Sequence, residues 1–322
     1  LAARAREARY DVLLRACVAE GIPHLLLGHQ RSDQAETVMM RALSGSASRG
    51  LAGMPARLEL RHVRLLRPLL DVAPGHLREY LAERAVSWID DPSNHNPVAL
   101  RSRLRTAQGD FQGTGEGIHA IARAARSAGN QRSDQDLVIA QTLGERATIR
   151  PEGFAVLTPG PIDPWSLAAL LRCIAGAGHA PPIDRVAVLA RSLRPATLGG
   201  VRIVCAGRLG AGWLLVRESR AMQDPVQVCC GVGWDGRFRL VGGPPDAFAH
   251  DGPSNALTIG ALGADAARFR NQDRLPALVL HGLPALRLGE TVVAVPHVGL
   301  GDPRWRVLFD PRNRAAGAPF SS

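Results

Sequence analysis

Residues 24–43 constrain the fold of this chain more than any other stretch, because a short apolar strand there runs directly into an amphipathic helix. The strand, HLLLG, is almost wholly apolar, as is typical of strands that lie buried within a parallel sheet. A strand followed by a helix occurs again downstream, and this alternation indicates the α/β class. We predict one strand–helix–strand unit with adjoining pieces, which is less than a whole sheet. Helical spacing of apolar residues also predicts helices over residues 3–20, 33–44, 74–85 and from about residue 101.

The composition indicates a globular protein that lies outside membranes and is strongly basic. Hydrophobic residues make up 46% of the 322 residues, and no apolar run approaches the roughly 18 residues that a membrane span needs. The Arg-rich start has no apolar signal core, so we expect a cytoplasmic protein whose first residue resembles an interior position of a longer chain. The net charge of +10 favours nucleic acid as the partner.

All 39 basic residues are arginine, because the chain contains no lysine. A coding bias of a GC-rich genome explains this as well as a functional choice does, so the charge alone leaves the partner open. The absence of lysine excludes Schiff-base chemistry, a phosphate-loop lysine and a lysine general base within this chain.

The character of the sequence changes along the chain, and we predict three regions. Residues 1–106 carry the α/β pattern. Residues 107–196 begin with the Gly-rich polar stretch QGDFQGTGEGIH, which is typical of a linker, and continue with helices predicted over 117–148 and 162–194. Residues 197–322 alternate apolar and polar positions between Gly and Asp-Gly turns, which predicts a small antiparallel β-rich region.

Three titratable side chains lie where the first strand meets its helix, namely His29, Asp33 and Glu36. Helix capping explains the two acids without any function, with Asp33 as the N-cap and Glu36 as its partner three residues on. Capping requires no imidazole, however, and ligands of open α/β sheets bind outside the carboxyl ends of the strands. Asp33 and Glu36 share one helix face. The three side chains would then form a polar cup that can hold a cationic amine, a metal ion or the edge of a base.

Several motifs stand in order along the first third of the chain. They are REARYDVL, then GHQRSDQAET with LSGSASRGLAGM, then LRPLLDVAPGHLREYL, and then WIDDPSNHN with RSRLR. In this order they resemble the A-R-x-x-R-Y helix, the second signature A-H-H-x-D-D-Q-x-E-T with its Gly-rich loop, the R-P-L-L segment and the W-x-E-D-P-S-N segment of the tRNA(Ile)-lysidine synthetases. The resemblance is dense over residues 4–105 and thinner to about residue 310. It implies an adenine nucleotide alpha hydrolase-like fold, present here as a partial Rossmann-like parallel sheet.

The resemblance implies a ligase that modifies the wobble cytidine of tRNA(Ile) with a CAU anticodon. ATP, together with Mg²⁺, would adenylate the C2 oxygen of cytosine, and the ε-amine of free L-lysine would then attack C2 and displace AMP. Members of this family are often dimeric, so a homodimer is expected as well.

The family's functional positions can be placed on this sequence residue by residue. His29, Asp33 and Glu36 match its catalytic junction residues. The two carboxylates suit a lysine ammonium, and either a carboxylate or His29 can take the proton that the amine loses. The arginines expected to hold phosphate or RNA are Arg49, Arg101 and Arg105.

The sequence departs from the family pattern in three places. Its phosphate-loop signature, S-G-G-x-D-S, does not occur, so no residue is assigned to nucleotide binding and the metal ligands stay unknown. Gln30 replaces a histidine of the second signature, and Ser32 replaces an aspartate. We therefore expect that the full-length parent is a lysidine synthetase and that this chain alone does not turn over. We also expect an unpaired edge in its α/β sheet.

Three other interpretations remain open at the level of the sequence. A tRNA 2-thiocytidine synthetase shares the same ancestry, but it relies on paired C-x-x-C cysteines, and none of the five cysteines here form that motif. A non-catalytic tRNA-binding remnant of the lysidine synthetases would keep salt-dependent tRNA binding without ATP binding. An inert product of a broken reading frame is the third interpretation.

Overall fold

In a computed structural model, the chain forms two compact units, Leu1–Leu137 and Val138–Gly317. The residues that the structure describes are 2–45, 48–60, 62–89, 100–229, 231–244, 257–270 and 275–316. Within these ranges, no helix has the length and apolar character to cross a membrane. The three regions expected from the sequence stay a prediction.

The first unit is made of helices around one small sheet. Its helices are α1 (Ala2–Ala19), α2 (Arg31–Leu43), α3 (Pro74–Glu83), α4 (Leu100–Gln108) and the first part of α5 (Glu116–Arg146), and its strands are β1 (His24–Leu26), β2 (Arg57–Glu59) and β3 (Arg64–Leu66). The helices predicted from apolar spacing are confirmed, with their ends shifted by less than one turn. Local signals were sufficient here because the spacing of apolar residues in α1 and Pro74 at the start of α3 each lie within a few consecutive residues.

The sheet of the first unit has the order β1-β3-β2. β1 and β3 are parallel, with Leu26 opposite Leu66, and β2 pairs with β3 in the antiparallel sense. The strand–helix–strand unit from β1 through α2 to β3 confirms the predicted α/β class with a partial parallel sheet. Among the described residues, β1 lies at an edge of this sheet, and Leu26 at its end is 63% exposed. The prediction of a buried strand from HLLLG is therefore wrong, because only one side of β1 is paired.

The second unit is built mainly from antiparallel strands. Its strands are β4 (Ala147–Arg150), β5 (Phe154–Leu157), β6 (Ala196–Leu198), β7 (Val201–Cys205), β8 (Trp213–Arg217), β9 (Val226–Gln227), β10 (Gly233–Trp234), β11 (Phe238–Gly242), β12 (Leu257–Ala261), β13 (Pro284–Leu288), β14 (Thr291–Ala294) and β15 (Arg306–Phe309), and its further helices are α6 (Pro164–Ala175), α7 (Ile183–Arg191) and α8 (Ala277–His281). The largest sheet has the order β4-β5-β8-β7-β6, and α6 packs against its strands β7 and β8. The β-rich character predicted beyond residue 197 is confirmed.

Two features of the second unit add detail to the prediction from the sequence. The helix predicted over residues 162–194 is two helices, because Gly176 adopts a left-handed conformation with φ +63° and ends α6. The hairpin of β4 and β5 was not predicted, since its sequence shows no clear alternation of buried and exposed positions, with burial patterns that run exposed in β4 and buried in β5. These strands join the sheet through β8, which lies far away in the sequence.

Candidate functional site

The start of α2 is fixed by its own backbone and by Asp33. Gln30 is the N-cap, in an extended conformation, and the Oδ2 atom of Asp33 accepts a hydrogen bond from the N–H of Gln30 at 3.0 Å. Asp33 therefore caps the helix from its third residue. The capping interpretation of the sequence, in which Asp33 is the N-cap residue, is wrong on this point. Because the helix begins two residues earlier than predicted, Glu36 lies in its second turn and takes no part in the cap.

Glu36 is a buried carboxylate paired with an arginine from another helix. Its side chain is 1% exposed, and its Oε1 atom accepts from Nε of Arg105 at 2.8 Å and lies 2.7 Å from Nη2 of the same residue. Its Oε2 atom is buried and has no partner among the described residues. Nη2 of Arg105 also lies 3.9 Å from Oδ1 of Asp33. The structure thus brings together three of the predicted site residues, two from α2 and one from α4.

Burial governs the electrostatics of Glu36. It raises the pKa of this carboxyl group above its ordinary value, and the charge of Arg105 offsets part of that rise. A carboxylate in such surroundings gains from any additional cation that reaches its free oxygen, because a buried charge is stable only when it is paired. The site therefore has a buried acceptor that finds no partner among the described residues.

His29 follows β1 at the carboxyl end of the strand and is half-buried. Burial is the main cause that lowers the pKa of His29 below its ordinary value of 6.5, and the charge of Asp33 offsets part of this effect. The imidazole is therefore neutral at pH 7 and able to accept a proton. Its Nδ1 atom is buried and has no hydrogen-bond partner within the described part of the chain.

The three predicted arginines differ in what the structure shows. Arg105 binds Glu36, as described above. Nη2 of Arg101, also on α4, lies 3.5 Å from the hydroxyl of Thr37, which in turn donates to the backbone oxygen of Asp33 at 2.7 Å. The side chain of Arg49 lies outside what the structure describes, as does the DDPSNHNP motif at 90–97. Arg101 and Arg105 are thus placed beside the acids, whereas Arg49 stays a prediction.

Two further residues of α2 hold the loop that follows the helix, and charge patterns alone did not indicate them. The amide of buried Gln34 donates to the oxygen of Met54 at 2.9 Å and accepts from its N–H at 2.7 Å. Arg41 donates to the oxygens of Gly50 and Gly53 at 2.8 and 2.6 Å. Gly53 has φ +64°, and a β-carbon there would lie 2.6 Å from Oε1 of Gln34. The signal that points to Gln34 is its place in the motif SDQAET.

The Gly-rich stretch interpreted as a linker is bound to the site. Asp110 accepts from the N–H groups of Gly113 and Gly115 at 2.8 and 2.7 Å. Gly113 has φ +65° and lies against Pro74 and Ser32, so that a β-carbon there would come within 2.6 Å of both side chains. Ser32, which replaces an aspartate of the family pattern, is therefore buried under this loop.

Comparison with known proteins agrees with these features. Residues 1–110 match the PP-loop domain family. The chain is 34% identical over 313 residues to the tRNA(Ile)-lysidine synthase of Brucella suis, a match that covers 92% of this chain and 68% of that protein. It is also 34% identical over 325 residues to the tRNA(Ile)-lysidine synthase of Mesorhizobium japonicum, covering 96% of this chain and 69% of that protein. The PP-loop match includes every residue of the site at β1, α2 and α4.

Proposed function

Because the chain belongs to the tRNA(Ile)-lysidine synthase family, we propose that it acts in the ATP-dependent ligation of free lysine to the wobble cytidine of tRNA(Ile) with a CAU anticodon. The observation that carries this proposal is the buried carboxylate of Glu36, whose Oε1 is held by Arg105 while its Oε2 has no partner among the described residues. An acid with an oxygen that has no partner among the described residues, on the helix that follows a parallel strand, is suited to bind a substrate ammonium group.

The first role of the site is to hold and deprotonate the lysine amine. Asp33 and Glu36 attract the ammonium group, and neutral His29 is the base that takes its proton. The activated cytidine carries AMP on its C2 oxygen, after pyrophosphate has left. The lysine nitrogen then forms a bond to C2, the bond from C2 to oxygen breaks, and AMP leaves with that oxygen.

The second role is to hold phosphate. Arg105 is committed to Glu36, whereas Arg101 has one long contact with Thr37, so Arg101 is better suited to bind an AMP or tRNA phosphate. Arg49 follows α2 in the sequence and is proposed as a second RNA contact. This electrostatic contribution predicts that tRNA affinity falls steeply as the salt concentration rises.

Three further parts of the proposal concern the metal ion, the oligomeric state and the location in the cell. No group of three or more His, Cys, Asp or Glu side chains that could hold a metal ion occurs among the described residues. We propose that Mg²⁺ binds to the ATP phosphates, where this ion commonly needs few protein ligands. We also propose a homodimer, which sedimentation would test, and a cytoplasmic location, where its tRNA substrate is found.

Equilibrium dialysis of radiolabelled lysine tests the proposal directly on the chain. We expect lysine to bind, and we expect a tRNA(Ile) transcript with a CAU anticodon to bind more tightly than the same transcript with GAU. Ornithine, which is one methylene shorter, is the matched ligand control and should bind more weakly. Binding of the tRNA without any binding of lysine would contradict the proposal and would favour a non-catalytic tRNA-binding protein.

A further inference from the structure

Arg67 is a buried arginine that the site described above does not use. It follows β3 directly, and the whole residue is 5% exposed. Its Nη1 atom donates to the backbone oxygen of Pro55 at 2.7 Å, and its Nε atom is buried without a partner among the described residues. Within the same ranges, no carboxylate pairs with it. A buried guanidinium without a counter-charge is costly, and an anionic ligand would offset that cost.

Arg67 lines a cavity of about 180 Å³ in the first unit. This volume has room for about six water molecules at roughly 30 Å³ each, or for part of a small organic ligand. Gln34 and the apolar side chains of Leu70 and Ala122 form other parts of its wall. The cavity is therefore large enough for a charged group together with a short apolar segment.

The charge in this cavity is positive. Asp71 and Arg126 also line it, and these two side chains form an ion pair with each other. Both are more than half exposed, at 63% and 52%, so they lie at the solvent side of the cavity. Because Asp71 is already paired with Arg126, the charge of Arg67 is left for a ligand.

The position of Arg67 in the sheet places it at the same edge as the start of α2. β1 and β3 are parallel neighbours with Leu26 opposite Leu66, so His29 and Arg67 both follow the same edge of the sheet. Neighbouring strands lie only about 4.8 Å apart. Arg67 thus follows β3 at the edge where α2, with Asp33 and Glu36, follows β1, and the charge of Arg67 acts on His29.

We propose that the Arg67 cavity is a subsite for a small carboxylate, and that this carboxylate is the α-carboxylate of the free amino acid whose ammonium group the acids bind. The inference rests on the proposed function. Arginine suits this ligand because its planar guanidinium offers two parallel donors to a carboxylate. The subsite would distinguish an amino acid from a simple diamine of the same length.

Binding of lysine compared with cadaverine, which lacks only the carboxylate, tests the subsite. We expect the wild-type protein to bind lysine at least about tenfold more tightly, the effect of one or two charge-assisted hydrogen bonds. Arg67→Gln, which keeps a donor for Pro55, should remove this preference by weakening lysine alone, and Arg67→Lys should restore part of it. Arg78→Gln is the matched control, since Arg78 also donates to a backbone oxygen, that of Phe111, but lies outside the cavity lining.

The possible outcomes separate the inference from the function on which it rests. Lysine binding that depends on Glu36 but keeps its preference over cadaverine in Arg67→Gln overturns the subsite and leaves the proposed function intact. Equal loss of lysine and cadaverine in Arg67→Gln shows a structural role and also overturns it. A weaker affinity for ATP with an unchanged lysine preference would assign the cavity to a phosphate instead. If neither amine binds to the wild-type protein, both proposals are wrong.

Discussion

Glu36 in the first unit and Asp235 in the second are both buried carboxylates held by arginine, but they differ in how fully they are satisfied. Asp235 accepts from Nη2 of Arg217 and the N–H of Gln223 on one oxygen, at 3.0 and 3.1 Å. Its other oxygen accepts from Nε of Arg217 and Nε of Arg237 at 3.1 and 2.7 Å. Glu36 uses one oxygen for Arg105 and leaves Oε2 without a partner among the described residues.

The same contrast extends to the interiors of the two units. Among its described residues, the second unit has three large apolar clusters, and its buried acid completes a network between strands and turns. The apolar cluster of the first unit is small, with Cys17, Val63 and Leu65 at its centre, whereas α2 buries several polar side chains. A fully hydrogen-bonded buried charge is costly to break, while one with an unpaired oxygen, on the helix that follows a strand, marks a candidate binding site.

The largest effect should come from removing the charge of Asp235. In Asp235→Asn, Arg237 would stay buried without its counter-charge, although burial already lowers its pKa to about 10. We expect the free energy of unfolding of the second unit to fall by about 3–5 kcal/mol, as measured by urea denaturation. Asp302→Asn, which removes an exposed partner of Arg304, is the control and should leave the urea midpoint unchanged. Equal urea midpoints for wild type and Asp235→Asn would remove the distinction between the two acids.

The matching change in the first unit should affect binding rather than stability. Because burial raises the pKa of Glu36, the neutral amide in Glu36→Gln is well tolerated, and we expect a stability change below about 1 kcal/mol. Lysine affinity should fall by about tenfold or more, since a charge-assisted hydrogen bond is lost. Isothermal titration calorimetry and urea denaturation of the same variant measure both quantities. A large loss of stability with normal lysine affinity would show that Glu36 is structural like Asp235.

A smaller effect is expected for the loop held by α2. Gln34→Ala leaves the N–H and oxygen of Met54 without their partners in a buried position. The free energy of unfolding should fall by about 1–3 kcal/mol, and the amide of Met54 should exchange faster with solvent. Gln141→Ala serves as the control, because Gln141 makes a side-chain bond to Glu145 at an exposed position. Unchanged exchange at Met54 would show that other contacts hold the loop.

The smallest effect concerns His29 and pH. Its pKa is lowered by burial in the folded protein, so its contribution to stability is fully present above its ordinary value of 6.5. This contribution is lost as the pH falls through the folded-state pKa, because protonation then favours the unfolded chain. Melting curves from about pH 8 to about pH 5 should show a steeper acid-side decline for wild type than for His29→Gln. Parallel declines would mean that the imidazole is not buried as the structure shows.

Much of the first unit followed from local patterns in the sequence. Apolar spacing predicted α1 to α4, and the apolar run HLLLG predicted β1, because both signals lie within a few consecutive turns or residues. The pattern did not predict β4 and β5, whose pairing with β8 depends on contacts between distant residues. It also placed the N-cap at Asp33, whereas the chain uses Gln30, since helix ends depend on one or two hydrogen bonds.

The sequence by itself determined the α/β class, the family motifs and the presence of His29, Asp33 and Glu36 at one junction, because these depend on residue type and spacing along the chain. Only the tertiary structure decided which charges meet. It paired Glu36 with Arg105 across 69 positions and left Arg67 without a partner among the described residues, lining a cavity. The physical reason is that burial and pairing set the energy of a charge, and both depend on the packing of distant segments.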